Sequence, residues 1–209
     1  MRYPGLFFPV LLISLVIGGC SLTQSKQEVQ YYALALSPHS PAPSGPAPVQ
    51  ASLVVRPFTA QPPYNRDRMV YRASPYEFDF YHYHRWVTKP ADMLTTLTRR
   101  TLQQSGLFTT VYPTPDARAD LRLGGVVRQY EEVDQAQSWQ AVLSIEVWLS
   151  RSQEPAPFWF QSYSATRLAA KRNPAAVAEA MSQNLQDILA RLTHDLASVL
   201  STQTQPSRP

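Results

Sequence analysis

Alternating apolar and polar residues in the second half of the chain predict a sheet. Residues 138–150 place apolar side chains at every second position, so one side of this strand should face a core. Residues 119–132 and 158–167 flank it, and we expect all three segments to pair as antiparallel strands. Shorter strands are predicted earlier in the chain, at residues 31–36, 52–58, 68–72, 76–86 and 107–112.

Two segments have the spacing of amphipathic helices. The first begins at Pro90, which suits a first helical turn, and should end at Gly106. The second begins at Asn173 and Pro174, a side-chain cap followed by proline, and its apolar stripe continues to Val199. Together with the predicted strands, these helices predict a single α+β domain. Its sheet should be mostly antiparallel, with both main helices packed on one face.

The N-terminus has a different pattern. Arg2 precedes an apolar stretch over residues 6–17, which is too short to span a bilayer and has the length of the apolar part of an export signal. The stretch leads into Gly18-Gly19-Cys20, which resembles the lipobox of bacterial lipoprotein precursors. We therefore expect residues 1–19 to be a signal peptide. Cys20 should become the first residue of the mature chain, with S-diacylglycerol and N-acyl groups attached.

Cys20 is the only cysteine of the 209 residues. A disulfide within the chain and a structural metal site built on thiolates are therefore excluded. Two or more acyl chains hold a protein stably on a membrane. Ser21 follows Cys20, and serine at this position of a lipoprotein signal is compatible with sorting to the outer membrane. The sequence thus predicts an outer-membrane protein, anchored by lipid and facing the periplasm.

Composition divides the rest of the chain into a tether, a folded domain with one proline-rich loop, and a tail. Residues 20–29 should form the lipidated N-terminus and a polar tether, and residues 30–202 the folded domain. Within that domain, residues 37–50 are proline-rich and should form an exposed loop, because proline lacks a backbone donor. Residues 203–209 should be a flexible tail.

Charge and motifs argue against several function classes. The formal net charge of +4 is small, and the arginines are scattered, so nucleic acid is not an expected partner. The sequence contains no nucleophile elbow, phosphate-binding loop or zinc-protease motif. We expect no enzyme activity, no metal, and no cofactor besides the lipid on Cys20.

Two weaker signals have ordinary structural interpretations. His82 and His84 lie two residues apart on a predicted strand and could form half of a metal site, but surface strand residues are the favoured interpretation. Glu131, Glu132 and Asp134 could suggest a carboxylate pair. Their place at the end of a predicted strand favours a solvated turn instead.

Arginine and aromatic residues are dense between residues 68 and 86. Such residues are typical of hot spots in protein interfaces. Strand alternation offers an alternative, because it would bury half of the rings while arginine stems cover the rest. Both interpretations stay open, and the candidate assembly surface consists of Arg72, Tyr76, Tyr81, Tyr83, Arg85 and Trp86.

The order of these features resembles the ABC-type transport auxiliary lipoproteins, a family that includes the outer-membrane lipoprotein of the paraquat-inducible Pqi system. The resemblance rests on the lipobox, the long final helix, and a series of short motifs: Tyr31-Tyr32-x-Leu34, residues 53–57, residues 69–72, and Arg85-Trp86 before a proline-led helix. It implies a non-catalytic periplasmic subunit that docks to an MCE-domain protein of an intermembrane lipid transport system. A ring-shaped homo-oligomer is a further implication. The alternatives are a lipid carrier that encloses an acyl chain and a cell-envelope enzyme.

Overall fold

The computed structural model describes four stretches of the chain, which are residues 27–37, 49–135, 137–154 and 156–204. The predicted signal peptide, Cys20, most of the proline-rich loop and the last five residues of the predicted tail lie outside the described residues. No helix in the described stretches is long and apolar enough to cross a bilayer.

Nine strands and two α-helices are present in these stretches. The strands are β1 (Gln30–Tyr32), β2 (Val49–Val55), β3 (Thr59–Ala60), β4 (Arg68–Ser74), β5 (Glu77–Trp86), β6 (Phe108–Tyr112), β7 (Leu121–Gln135), β8 (Ser138–Arg151) and β9 (Pro157–Leu168). The helices are α1 (Pro90–Gln104) and α2 (Pro174–Thr204). Sequence analysis missed β3 and the short 3₁₀ helix Pro62–Tyr64 that follows it. The helix α2 also includes the first two residues of the predicted tail.

The strand β7 is the centre of one mixed sheet. Along one edge it pairs antiparallel with β8, which pairs antiparallel with β9. Along its other edge it pairs in turn with β2, β3 and β4, all of them parallel. The sheet then branches, because β2 continues to β6 while β4 continues to β5 and β1. The longest pairings are the predicted antiparallel ones.

Both helices cover the same face of the sheet. The inward side chains of β8 are fully buried, and they are Ala141, Leu143, Ile145, Val147 and Leu149. The apolar stripe of α2 packs in the same core, and α1 contacts α2. Burying each large aliphatic side chain contributes roughly 2 kcal/mol. The predicted α+β class and the placement of two helices on one face are confirmed.

The predicted helix ends are also found. Asn173 Oδ1 accepts the backbone N–H of Ala176 at 2.9 Å, so the first turn of α2 is capped. Gly106 follows α1 with φ +66°, a left-handed conformation that favours glycine. These local signals mark where the two helices begin and end.

Candidate assembly surface

The six candidate residues all lie on the hairpin of β4 and β5 or in its turn. Tyr76 lies in that turn and is 95% exposed. Phe78, which sequence analysis did not single out, follows on β5 and is partly exposed. The end of the hairpin, residues 74–78, is called the hairpin tip below.

Arg72 fixes the hairpin tip to the sheet. Its Nη1 donates a hydrogen bond to the carbonyl oxygen of Pro75 at 2.9 Å, and its guanidinium lies 3.8 Å from the centre of the Phe78 ring. Its Nη2 donates to Glu131 Oε2 at 3.1 Å. One side chain thus joins the turn, an aromatic ring and the central strand, so the tip has a defined position.

Glu131 is buried on the face of the sheet opposite the helices. The Tyr64 hydroxyl donates to Glu131 Oε2 at 2.8 Å. Burial raises the pKa of Tyr64, and the hydrogen bond to Glu131 raises it further, so the hydroxyl stays protonated as a donor. The predicted solvated turn at Glu131 is therefore wrong, since this carboxylate is held by Arg72 and Tyr64.

Glu132, the next residue of β7, is buried on the face that the helices cover. The hydroxyl of Tyr81 donates to its two carboxylate oxygens, at 3.0 and 3.1 Å. Burial raises the pKa of Glu132 to about 7, and the nearby charge of Asp134 raises it too, while the Tyr81 hydrogen bond lowers it. The hydroxyl of Tyr81 is thus hydrogen-bonded to a buried carboxylate. The predicted solvated turn is wrong at Glu132 as well.

The other end of the hairpin is mixed in its exposure. Trp86 is buried, and its ring meets the ring of Tyr130 edge to face at 5.0 Å between centroids. Arg85 Nη1 lies 3.0 Å from Asp67 Oδ2. Tyr83 is 41% exposed. Strand alternation therefore explains the burial of Trp86 and the partial burial of Tyr81, whereas Tyr76 and Tyr83 remain available for contact.

The two histidines have different surroundings. His84 Nδ1 lies 2.9 Å from the hydroxyl of Tyr32, and burial lowers its pKa, whereas His82 is exposed. In the described part of the chain, no group of three metal-ligating side chains comes together.

Two open pockets lie near the hairpin of β4 and β5. One of about 380 Å³ lies between the hairpin tip and β7, and its lining includes Arg72, Pro75, Glu131, Val133 and Val142. Another, of about 490 Å³, lies beside the start of α1, and its lining includes Phe58, Asp67, Lys89 and Asp92. Both linings mix charged and apolar side chains.

Comparison with known proteins now identifies the family. The family model for the ABC-type transport auxiliary lipoprotein component matches residues 32–193, which include the whole hairpin. The chain belongs to this family. The predicted resemblance is thereby confirmed, and with it the association with ABC-type transport that the family's description states.

Two crystal structures share the fold of this family member. One is a protein of the DUF330 family from Xanthomonas campestris, with 24% sequence identity and a TM-score of 0.75, covering 84% of this chain and 100% of that chain. The other is an uncharacterized protein, with 14% identity and a TM-score of 0.65, covering 81% and 99% of the two chains. No curated protein matches the sequence.

Proposed function

We propose that this auxiliary lipoprotein is anchored in the outer membrane, faces the periplasm, and acts without catalysis as a docking subunit of an MCE-type system that moves lipids between two membranes. Family membership supports a role beside an ABC-type transporter. The lipobox that ends at Cys20 supports the lipid anchor, and Ser21 supports the outer membrane.

The observation that carries the docking role is the exposed ring of Tyr76 on a fixed turn. A large aromatic side chain provides much contact area, and it loses little conformational freedom when its backbone is already ordered. Arg72 supplies that order through its contacts with Pro75 and Glu131. The hairpin tip therefore has the properties of an interface hot spot, and an MCE-domain protein is its proposed partner. A second copy of the chain in a homo-oligomeric ring is the competing occupant of the tip.

Photo-crosslinking from the native envelope tests the docking role. A benzoyl-phenylalanine at position 76 keeps an aromatic ring at the tip, and the same residue at Phe160, which is exposed on β9, serves as the control. We expect an MCE-domain protein to be recovered from position 76 and not from position 160. Recovery of only a second copy of the chain would reassign the tip to the ring. Absence of any MCE-domain protein from the envelope crosslinks would overturn the proposed function.

Truncation of the same ring gives a quantitative prediction. Tyr76→Ala should reduce capture of the MCE-domain protein by about thirtyfold or more, because central aromatic hot spots contribute about 2 kcal/mol or more. Capture is measured by affinity purification from solubilised envelopes at matched protein levels. Phe160→Ala should leave it unchanged. Equal capture by both variants would show that the tip is not the docking site.

A further inference from the structure

Three side chains form one row across the edge of the sheet. The register pairs Tyr31 of β1 with Arg85 of β5, and it pairs Arg85 with Arg68 of β4. Side chains that lie directly opposite each other in a ladder point to the same face. The neighbouring residues Trp86 and Met69 are buried in the core, so Tyr31, Arg85 and Arg68, the edge row, project together from the face opposite the helices.

The edge row combines exposed aromatic surface with positive charge. Tyr31 is 61% exposed, and the exposed Tyr83 precedes Arg85 on β5 by two residues. Two arginines directly opposite each other repel, and Asp67 lies within ion-pair distance of Arg85. An anionic group near Arg68 would balance the second charge. Tyrosine and arginine are the residue types that suit the headgroup level of a membrane, where rings lie in the interface and cations meet anionic lipids.

The position of the edge row in the chain brings it close to the proposed anchor. β1 begins at Gln30, only ten residues after Cys20. Ten residues reach no farther than about 35 Å even when fully extended. The edge row therefore stays within reach of the bilayer whenever Cys20 is lipidated, and a weak contact is favoured by this high local concentration.

We propose that the edge row and the neighbouring Tyr83 form a membrane-docking surface, on which Tyr31 and Tyr83 lie at the headgroups and Arg68 meets anionic phospholipid. This inference rests on the lipid anchor of the proposed function. Docking through the edge row fixes how the domain is oriented over the membrane. The hairpin tip, at the other end of the same hairpin, stays available for its partner.

A nitroxide reporter tests this orientation in the lipidated mature protein. Cys20 is the only cysteine and its thiol is consumed by the lipid, so His82→Cys provides a single labelling site beside Tyr83. The protein is reconstituted into vesicles of phosphatidylethanolamine and phosphatidylglycerol, and relaxation by a lipid-bound nickel chelate is measured. We expect strong relaxation at position 82. A reporter at exposed Ser162 of β9, introduced as Ser162→Cys, should remain at the level of a water-exposed label.

Variants of the edge row complete the test. Tyr31→Ser combined with Arg68→Glu should abolish the relaxation at position 82, whereas Phe160→Ser combined with Arg122→Glu, an equal change elsewhere on the surface, should not. Tyr31→Ser alone should reduce the relaxation, and it keeps the test open if the double variant folds poorly. A lipidated protein whose label at position 82 is as water-exposed as that at 162 would overturn the docking alone. Mass spectrometry of the same sample reports the lipid on Cys20, and an unmodified cysteine would overturn the anchor together with the docking.

Discussion

Arg72 connects parts of the chain that lie far apart in sequence. It binds the turn at Pro75, the ring of Phe78 and the carboxylate of Glu131, 59 residues away. A carboxylate inside a protein is costly unless an opposite charge and hydrogen-bond donors satisfy it. Arg72 therefore has a structural role. It neutralises a buried carboxylate, and it affects docking only by holding the hairpin tip in position.

Removal of the Arg72 charge should destabilise the domain strongly. Arg72→Met keeps an aliphatic stem but leaves buried Glu131 without its cation, which costs about 3 kcal/mol, the lower end for a broken buried pair because Arg72 is partly exposed. Urea denaturation followed by circular dichroism measures the free energy of unfolding. Arg128→Met is the matched control, since Arg128 pairs with the more exposed Glu146, and it should cost less than about 1 kcal/mol. Similar losses for the two variants would contradict the structural role of Arg72.

Which side chains of the candidate surface are buried was only partly predictable from residue types. Alternation predicts that about half of the rings on this strand are buried, and Trp86, which the candidate assembly surface had included, is one of the buried rings. It does not anticipate Glu131 and Glu132, since glutamates near a strand end are usually solvated. Their burial depends on Tyr64 and Tyr81, which come from distant segments. A contact that only tertiary structure creates leaves no periodic signal in the sequence.

At the scale of elements, β7 presents its two glutamates to opposite faces. Its register to β8 shifts between Val127 and Gln129, and after this shift Glu131 lies opposite Val142 and Glu132 opposite Ala141. A one-residue slip would exchange the faces of both carboxylates and leave each without its donors. The irregularity is therefore required for the two carboxylates to meet Arg72 and Tyr81 respectively.

Burial of Glu132 predicts an unusual pH dependence of stability. Its pKa of about 7 in the folded state lies above its ordinary value of 4.5, so between these values the folded chain retains a proton that the unfolded chain releases. Stability contributed by this group is complete below about pH 4.5 and falls as pH rises toward 7. The loss is at most about 3 kcal/mol.

Glu132→Gln should remove this pH dependence. The amide oxygen can still accept the hydrogen bond from Tyr81, and no charge has to be buried at high pH. Thermal unfolding measured from pH 5 to pH 8 should therefore show a smaller decline than in the wild type, with the variant more stable at pH 8. Glu146→Gln, on the other face of the sheet, should keep the wild-type slope. An unchanged slope in Glu132→Gln would show that Glu132 ionises without penalty in the folded protein.

The pairing of elements was only partly predictable. Hairpin partners such as β7, β8 and β9 are neighbours in sequence, and a clear alternation identifies them. The parallel pairings of β2, β3 and β4 with β7 join segments more than 60 residues apart. β3 has two residues, too few to show a period. The helices were predicted well because Pro90, Gly106 and Asn173 mark their ends locally.

At the scale of the whole molecule, the two proposed contact surfaces lie on one hairpin. The hairpin tip is held by Arg72, and the edge row joins the base of the hairpin to β1, the strand nearest the anchor. A domain attached by lipid and oriented by the edge row would present the tip in a constant direction. Such an orientation reduces the rotational freedom that is lost on docking.

The lipid on Cys20 is therefore predicted to be essential for function and dispensable for folding. Each buried methylene contributes about 0.8 kcal/mol to membrane binding, and several acyl chains are lost together in Cys20→Ala. This variant should show the wild-type unfolding transition in its soluble domain, yet fail to restore envelope lipid transport in a strain lacking the gene. Ser21→Asp is the matched control, because it keeps the lipid but should retain the protein in the inner membrane, which separates anchoring from location. Full transport by unanchored Cys20→Ala would show that position at the membrane is not what the protein contributes.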